Sequence, residues 1–172
     1  MLRSHTKVLG VHGRSVREMH RSVSSNLVFE TIWDLRLLVS YQGATDPTDA
    51  EWSDWIVAVD ALWKKAPEFR LLVVTDGGHP TRQQLDRLRS AKRSEPLTVI
   101  ISSSALLHFI ASIVALFNPH IDCFSPANRD RAYSRIGLAP DERTKVDAAI
   151  SRLRQKLEEP ATKMRKGDQE SW

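Results

Sequence analysis

The sequence predicts an α/β fold in which one domain holds a mixed, mostly parallel sheet of about five strands flanked by helices, with an extra C-terminal helix. Short, nearly continuous apolar runs at 69–74 and 97–101 are typical of parallel strands that are covered on both faces. Helical patterns separate these runs, so each crossover returns the chain parallel to the previous strand. Strand-like segments at 27–33 and 36–41 lie close together and predict an opening hairpin, which adds one antiparallel strand.

A capping box marks the start of the first helix. Thr48 and Glu51 hold the two positions of this motif, in which each side chain accepts a hydrogen bond from the other residue's amide. The helix is expected to run to about Lys65 or Ala66. Its apolar residues recur mainly at spacings of three and four and predict one buried face: Trp52, Trp55, Ile56, Val59, Leu62 and Trp63. Three large aromatic rings on one face are more typical of a core than of a ligand platform.

The second half of the chain alternates strands and helices. Pro80 and Thr81 open a short helix, and Ser102 ends the strand that follows it. The serines at 102–104 are placed to cap an apolar helix over 105–117. A last strand is expected at 120–124.

Two more helices complete the predicted fold. Asn128 is placed to cap a helix through Ile136, and Gly137 to end it in the left-handed conformation. The final amphipathic helix opens at Pro140-Asp141 and carries one apolar stripe, formed by Val146, Ile150, Leu153 and Leu157. The stripe spans too few heptads to indicate a coiled coil, which favours packing on the domain over pairing with a partner helix.

The chain length of 172 residues suits one domain with terminal extensions. We expect a flexible basic leader at 1–25, the α/β domain at 26–138, the C-terminal helix at 139–160 and a frayed tail at 161–172. The formal charge of +4 lies in the leader, which holds five basic residues and one acidic residue, so the remainder is balanced. A neutral body without basic residues interleaved with aromatic ones argues against a nucleic-acid partner.

The cysteine and histidine content bears on location and cofactors. Cys123 is the single cysteine, which excludes an intrachain disulfide and fits a reducing cytoplasm, and its apolar surroundings indicate an inert thiol. No apolar signal segment precedes a cleavage site, and the apolar run 105–117 is shorter than the ~20 residues of a membrane span. The histidines show no metal-ligand spacing, so neither a metal nor a cofactor is predicted.

The candidate site lies at the carboxyl edge of the sheet, where exit loops meet helix starts. Two exit loops supply polar groups and glycines: Asp76, Gly77, Gly78, His79 and Thr81 in the first, and Ser102, Ser103 and Ser104 in the second. The glycines allow backbone to approach an anion, although they also suit a plain turn, just as the serines suit a plain helix cap. The glycine spacing matches neither the dinucleotide-binding nor the P-loop motif.

Enzymatic alternatives are less well supported. Ser102, His79 and Asp76 name the residue types of a hydrolase triad, but the Gly-x-Ser-x-Gly motif is absent. A phosphoacceptor role for Asp76 requires further acidic residues and a lysine on neighbouring loops, which Gln42-Gly43 and Ser125-Pro126 do not supply. The sequence therefore predicts that the protein is not an enzyme.

A patch of small residues on the apolar helix is a candidate interface. It comprises His108, Ala111, Ser112 and Ala115. Small side chains allow another element to approach closely, either as sheet packing or as a contact between two copies in a homodimer.

The order of these elements resembles the STAS superfamily, the anti-sigma-factor antagonist-like domains, over about Leu27 to Leu138. The run Phe124-Ser125-Pro126 and the helix ending Ile136-Gly137-Leu138 are similar to the antagonist-like branch. The resemblance implies a protein-binding module, switched in some members by phosphorylation of a Ser or Thr in the loop after the third strand. Here Gly77 and Gly78 stand where that hydroxyl is expected, and Thr75 and Thr81 are the nearby substitutes.

Two functional hypotheses follow. The first is a non-enzymatic regulatory or protein-interaction module of STAS-like type that associates with itself or with a regulatory protein. The alternative is a sensor that binds a nucleotide, a lipid or another anion at the carboxyl edge of the sheet.

Overall fold

The computed structural model describes residues 25–90, 96–105, 108 and 120–158. The strands are β1 (Leu27–Ile32), β2 (Leu37–Gln42), β3 (Arg70–Thr75), β4 (Leu97–Ser102) and β5 (Ile121–Phe124). The helices are α1 (Asp49–Lys65), α2 (Arg82–Ser90), α3 (Arg129–Arg135) and α4 (Pro140–Glu158). Ala105 and His108 are helical, while the rest of the helix predicted over 105–117 lies outside the described residues, as do most of the leader and the tail.

The five strands form one sheet in the order β1-β2-β3-β4-β5. β1 pairs antiparallel with β2, and the three other pairings are parallel. The predicted α/β fold with a mixed, mostly parallel sheet is therefore confirmed. The hairpin turns through a short 3-10 helix, Trp33–Leu35, and through Arg36 at a φ of 47°, so β2 begins one residue later than predicted.

α1 covers one face of the sheet. Its capping box forms as predicted, with the Thr48 hydroxyl accepting from the Glu51 amide and the Glu51 carboxylate accepting from the Thr48 amide. The buried residues of this layer are Leu27, Leu38, Trp52, Trp55, Val59, Leu62, Phe69 and Leu71. The Trp52 and Trp55 rings stack with centroids 4.7 Å apart, which confirms that the predicted tryptophan face belongs mainly to the core.

α3 and α4 cover the opposite face. Val146, Ala149, Ile150 and Leu153 of α4 are buried in one cluster with strand residues, so the final helix packs on its own domain. Gly137 ends the α3 segment at a φ of 75°, as predicted. Asn128 does not cap α3, because its side-chain amide donates to the Ser125 hydroxyl and a 3-10 turn leads into the helix.

No helix in the described part of the chain is long and apolar enough to cross a membrane.

Candidate functional site at the carboxyl edge of the sheet

Three neighbouring strands end in buried polar residues at the same level of the sheet. Gln42 pairs with Thr75, and Thr75 pairs with Ser102. All three are at most 5 % exposed. Because β2, β3 and β4 are parallel, the loops that follow them leave from one edge, as the sequence predicts.

Each of the five backbone N–H groups in the loop 76–81 donates a hydrogen bond within the protein. The sixth residue, Pro80, has no N–H group. The five bonds run from Asp76 N to Gln42 O (3.0 Å), Gly77 N to Thr75 Oγ1 (3.0 Å), Gly78 N to Gly43 O (2.9 Å), His79 N to Asp46 Oδ1 (3.0 Å) and Thr81 N to Gln84 Oε1 (3.0 Å). An anion-binding loop needs free amides that point at its ligand. In this conformation the loop therefore cannot cradle an anion with its backbone.

Gly77 and Gly78 are suited to their positions in the loop for different structural reasons. Gly78 is buried against the loop that follows β2, and a Cβ there would overlap the Thr45 carbonyl oxygen and lie 2.6 Å from the Gly43 carbonyl oxygen. Gly77 has a φ of 132°, a conformation that side chains disfavour, and no other atom lies within 4 Å of its would-be Cβ. Gly78 thus permits the close approach of two loops, and Gly77 marks the open side of the turn.

A buried glutamine ties the same two loops to the helices. The Gln84 side-chain amide donates to Pro47 O and to Asp49 Oδ1, both at 3.0 Å. The Gln84 carbonyl accepts from Trp52 Nε1 at 3.0 Å, and the residue is only 1 % exposed. We call residues 43–48 and 76–81 the loop pair, because these bonds join them into one unit.

Asp76 is exposed, and it is oriented by a buried tyrosine on the face of the sheet that α3 and α4 cover. The Tyr41 hydroxyl donates to Asp76 Oδ2 at 2.9 Å. Burial and the neighbouring Asp76 carboxylate raise the pKa of Tyr41 to about 12, so the phenol keeps its proton at neutral pH. In the described part of the chain the other Asp76 oxygen accepts no hydrogen bond, and the carboxylate also interacts electrostatically with the Arg154 guanidinium.

His79 pairs with a carboxylate that the sequence did not single out. Its Nδ1 lies 3.6 Å from Asp46 Oδ1, and both side chains are about half exposed. Ser102 is 1 % exposed, and its hydroxyl accepts from the Ser104 amide at 3.1 Å. The described residues contain no hydrogen bond between Ser102 and His79, so the structure does not assemble a triad from Ser102, His79 and Asp76.

The two hydroxyls nearest the loop differ in access. Thr75 is 4 % exposed and its hydroxyl donates to Gly78 O at 2.7 Å, which closes it to modification. Thr81 is exposed, and its hydroxyl accepts from the Gln84 amide at the start of α2. Of these two threonines, only Thr81 is open to solvent.

The second predicted loop, at Ser102–Ser104, leads into the helical residues Ala105 and His108. Ser103 is exposed, and a ring nitrogen of His108 lies 2.7 Å from the Ser102 carbonyl oxygen. His108 is half-buried. The other members of the predicted small-residue patch, Ala111, Ser112 and Ala115, lie outside the described residues.

An open cavity of about 650 Å³ lies at the carboxyl ends of β4 and β5. Its described lining comprises Ser103, Ala105, His108, Cys123, Phe124, Ser125, Asn128 and Arg131. Burial raises the pKa of the Cys123 thiol, so formation of the nucleophilic thiolate is disfavoured. The Arg131 guanidinium is exposed and has no partner among the described residues.

No family model, no curated protein and no solved structure matches the chain. The α/β fold is shown by the structure, whereas membership of the STAS superfamily stays a prediction from the sequence motifs. In the described ranges, no three His, Cys, Asp or Glu side chains come together in a way that could hold a metal ion.

Sequence reasoning missed several residues at this edge. Tyr41 and Asp46 contact the predicted loop from the end of β2 and from the loop after it. Placing the β2 exit loop beside the β3 exit loop would have indicated Asp46 as a neighbour of His79. Ser125 and Arg131 line the cavity, and neither belongs to a motif that marks a site in the sequence.

Proposed function

We propose that this protein is a non-enzymatic regulatory module of STAS-like type that acts in the cytoplasm and binds a protein partner through the loop pair. The single observation that carries the proposal is the complete internal use of the amides in the loop 76–81. A loop with satisfied amides offers no anion cradle, but it presents a fixed set of surface groups. Fixed surfaces suit protein recognition, because little ordering has to occur on binding.

The chemistry of this surface favours a partner with basic or hydrogen-bond-donating groups. Asp46 and Asp76 are both exposed on the loop pair, and we call their two carboxylates the rim. The Tyr41 hydroxyl orients Asp76 through a hydrogen bond. The nearby Asp49 lies 3.8 Å from Arg87, so its charge is partly compensated. Carboxylates at the rim of an interface act mainly on partner choice and association rate.

The test begins with a photo-crosslinking amino acid placed at His79 and, as a control, at the exposed Asp54 on α1. In cells of the native host, the His79 position should give a specific protein adduct that the Asp54 position does not give. The captured protein is then purified, and its affinity for the chain is measured in solution.

Matched charge-removing variants decide whether the rim carries the affinity. Asp76→Asn keeps an acceptor for the Tyr41 hydroxyl and removes the charge, while Asp54→Asn removes a charge on α1. We expect Asp76→Asn to weaken binding by about tenfold, equivalent to about 1.4 kcal/mol, and Asp54→Asn to leave it unchanged. Equal affinities of both variants and of the unmodified chain would contradict a role for the rim.

The cavity supports a second candidate function, the binding of a small anion. Arg131 supplies a permanent positive charge that no described carboxylate neutralises, and the hydroxyls of Ser103 and Ser125 add donors. Ser103 follows β4, Ser125 follows β5 and Arg131 lies in α3, and none of the described lining residues belongs to the glycine loop 76–81. An anion sensor would therefore use the second predicted loop, through Ser103, and not the glycine loop 76–81.

Melting temperatures in inorganic phosphate and in a nucleoside triphosphate separate the two functions. A rise that is lost in Arg131→Gln and kept in the exposed control Arg82→Gln would favour the anion sensor. No rise in either ligand, together with a rim-dependent protein partner, would favour the interaction module.

A further inference from the structure

β1 forms one open edge of the sheet. Its strand partner is β2, and in the described part of the chain no other strand pairs with it. Phe29, Glu30 and Thr31 in its middle are only partly buried. An edge strand presents unpaired backbone N–H and C=O groups, which makes it a template for another strand.

The hydrogen-bond pattern shows which residues of β1 face that edge. Gly43 N donates to Asn26 O at 3.0 Å, so Asn26 lies in a hydrogen-bonded position opposite β2. Bonded and non-bonded positions alternate along an antiparallel strand, so the backbone groups of residues 27, 29 and 31 point outward. The Leu27 carbonyl accordingly accepts from the Ser25 hydroxyl at 3.0 Å and not from β2.

We propose that β1 pairs antiparallel with β1 of a second copy, giving a two-fold dimer with a continuous ten-stranded sheet. The outward groups fix the register. Phe29 lies opposite Phe29 of the second copy at the two-fold axis, and Leu27 lies opposite Thr31 on both sides of it. Each of these pairs exchanges two backbone hydrogen bonds, so the outward groups of the three residues are all satisfied. A strand with this pattern is its own complement, which is the property of an isologous interface.

The charges along the edge permit this pairing. Glu30 is the single charged residue in β1, and Arg152 of α4 lies 2.7 Å from its carboxylate. In the proposed register the two Glu30 side chains are diagonal neighbours, roughly 7–8 Å apart on one face. Each carries its own arginine, so the four groups form an alternating cluster in place of a repulsive carboxylate pair.

Apart from Glu30, the edge lacks the features that natural proteins use to block pairing. β1 contains no proline, lysine or glycine and is rich in residues with high strand propensity. Trp33, which follows β1 directly, is 49 % exposed at the end of this edge.

The test is the molar mass of the full chain by light scattering over a wide concentration range. A six-residue edge gives a small interface, so we expect a dimer that dissociates at roughly micromolar concentrations. Thr31→Pro removes an outward N–H without removing a bond to β2, and proline is tolerated at such edge positions. This variant should raise the dissociation constant at least tenfold, or about 1.4 kcal/mol, whereas the control Thr31→Val should leave it unchanged.

Residue-resolved hydrogen exchange on the unmodified chain tests the same pairing without a substitution, so misfolding of a variant cannot affect the result. The amides of Phe29 and Thr31 should exchange more slowly as the concentration rises, while those of Val28 and Glu30, bonded to β2, should not change. A monomer at all concentrations would overturn the proposal, and so would a dimer in which the Phe29 and Thr31 amides stay unprotected. Protection of these amides in the monomer would overturn it too, because another segment of the same chain would then cover the edge.

Discussion

The close approach of the two exit loops depends on the missing side chain of Gly78. We predict that Gly78→Ala destabilises the protein more than any other Gly→Ala change tested in the loop pair. The added Cβ would overlap the Thr45 carbonyl oxygen and crowd the Gly43 carbonyl oxygen, and both are backbone atoms that cannot rotate away. The loops must therefore separate, which also breaks the bond from Gly78 N to Gly43 O.

The expected cost combines three contributions. Overpacking against backbone costs about 1–3 kcal/mol, and loss of one backbone hydrogen bond adds about 1 kcal/mol. Replacing glycine by alanine restricts the unfolded chain and returns about 0.4–1 kcal/mol. The net loss in the free energy of unfolding is therefore about 1–3.5 kcal/mol.

Gly43→Ala is the matched control on the other side of the same hydrogen bond. Its Cβ would lie 3.2 Å from Leu157 Cδ2, the end of a flexible side chain, so we expect a change of less than about 0.5 kcal/mol. Urea unfolding of the two variants and the unmodified chain measures both values. The comparison requires that the free energy of unfolding falls with urea concentration at the same slope in all three proteins. A loss below about 0.5 kcal/mol for Gly78→Ala, or an equal loss for both variants, would refute the close approach of the two loops of the loop pair at Gly78.

Three further predictions concern the groups that hold this edge. Gln84→Ala should cost about 2–4 kcal/mol in urea unfolding, because it leaves the buried Pro47 carbonyl and the Thr81 amide without their side-chain partner, whereas the exposed neighbour Gln83→Ala should be neutral. Tyr41→Phe should cost about 1 kcal/mol for the lost bond to Asp76, and a variant as stable as the unmodified chain would show that the bond is not formed in solution. Partial burial opposes ionisation of Glu51, yet hydrogen bonds from backbone amides outweigh it and lower the pKa of that carboxyl. A depressed pKa stabilises the fold above the ordinary value and loses that stabilisation as the pH falls below about 4, so Glu51→Gln should flatten the acid limb of stability against pH.

The strands and helices were predictable because each has a local cause. The capping box at Thr48 and Glu51 begins α1 where the sequence places it, and the left-handed Gly137 ends the α3 segment. The apolar runs of β3 and β4 fix the order of the sheet, since parallel strands joined by short crossovers lie side by side. These features depend on residues close together in the chain, so a pattern of spacing is enough to find them.

The contacts of the candidate site were not predictable in the same way. Gln84 is more deeply buried than any leucine of α2, although its polar side chain falls outside the apolar stripe of that helix. Its burial depends on acceptors at Pro47 and Asp49, more than 30 residues away in sequence. Hydrophobic periodicity carries no information on such long-range polar bonds, which is why the sequence leaves both an anion cradle and a plain turn open for the loop glycines.

The closed loop changes how recognition at this edge would work. An anion-binding loop keeps its amides free, and it gains its stability only when the ligand arrives. Here the amides of Asp76, Gly78 and His79 donate to acceptors of the same chain, so their stabilisation does not depend on a ligand. A partner therefore meets a preformed surface and loses little affinity to ordering, and its specificity has to come from side chains such as Asp76 and Asp46. This explains why removal of one rim charge, with the backbone unchanged, is expected to affect partner binding while leaving the fold intact.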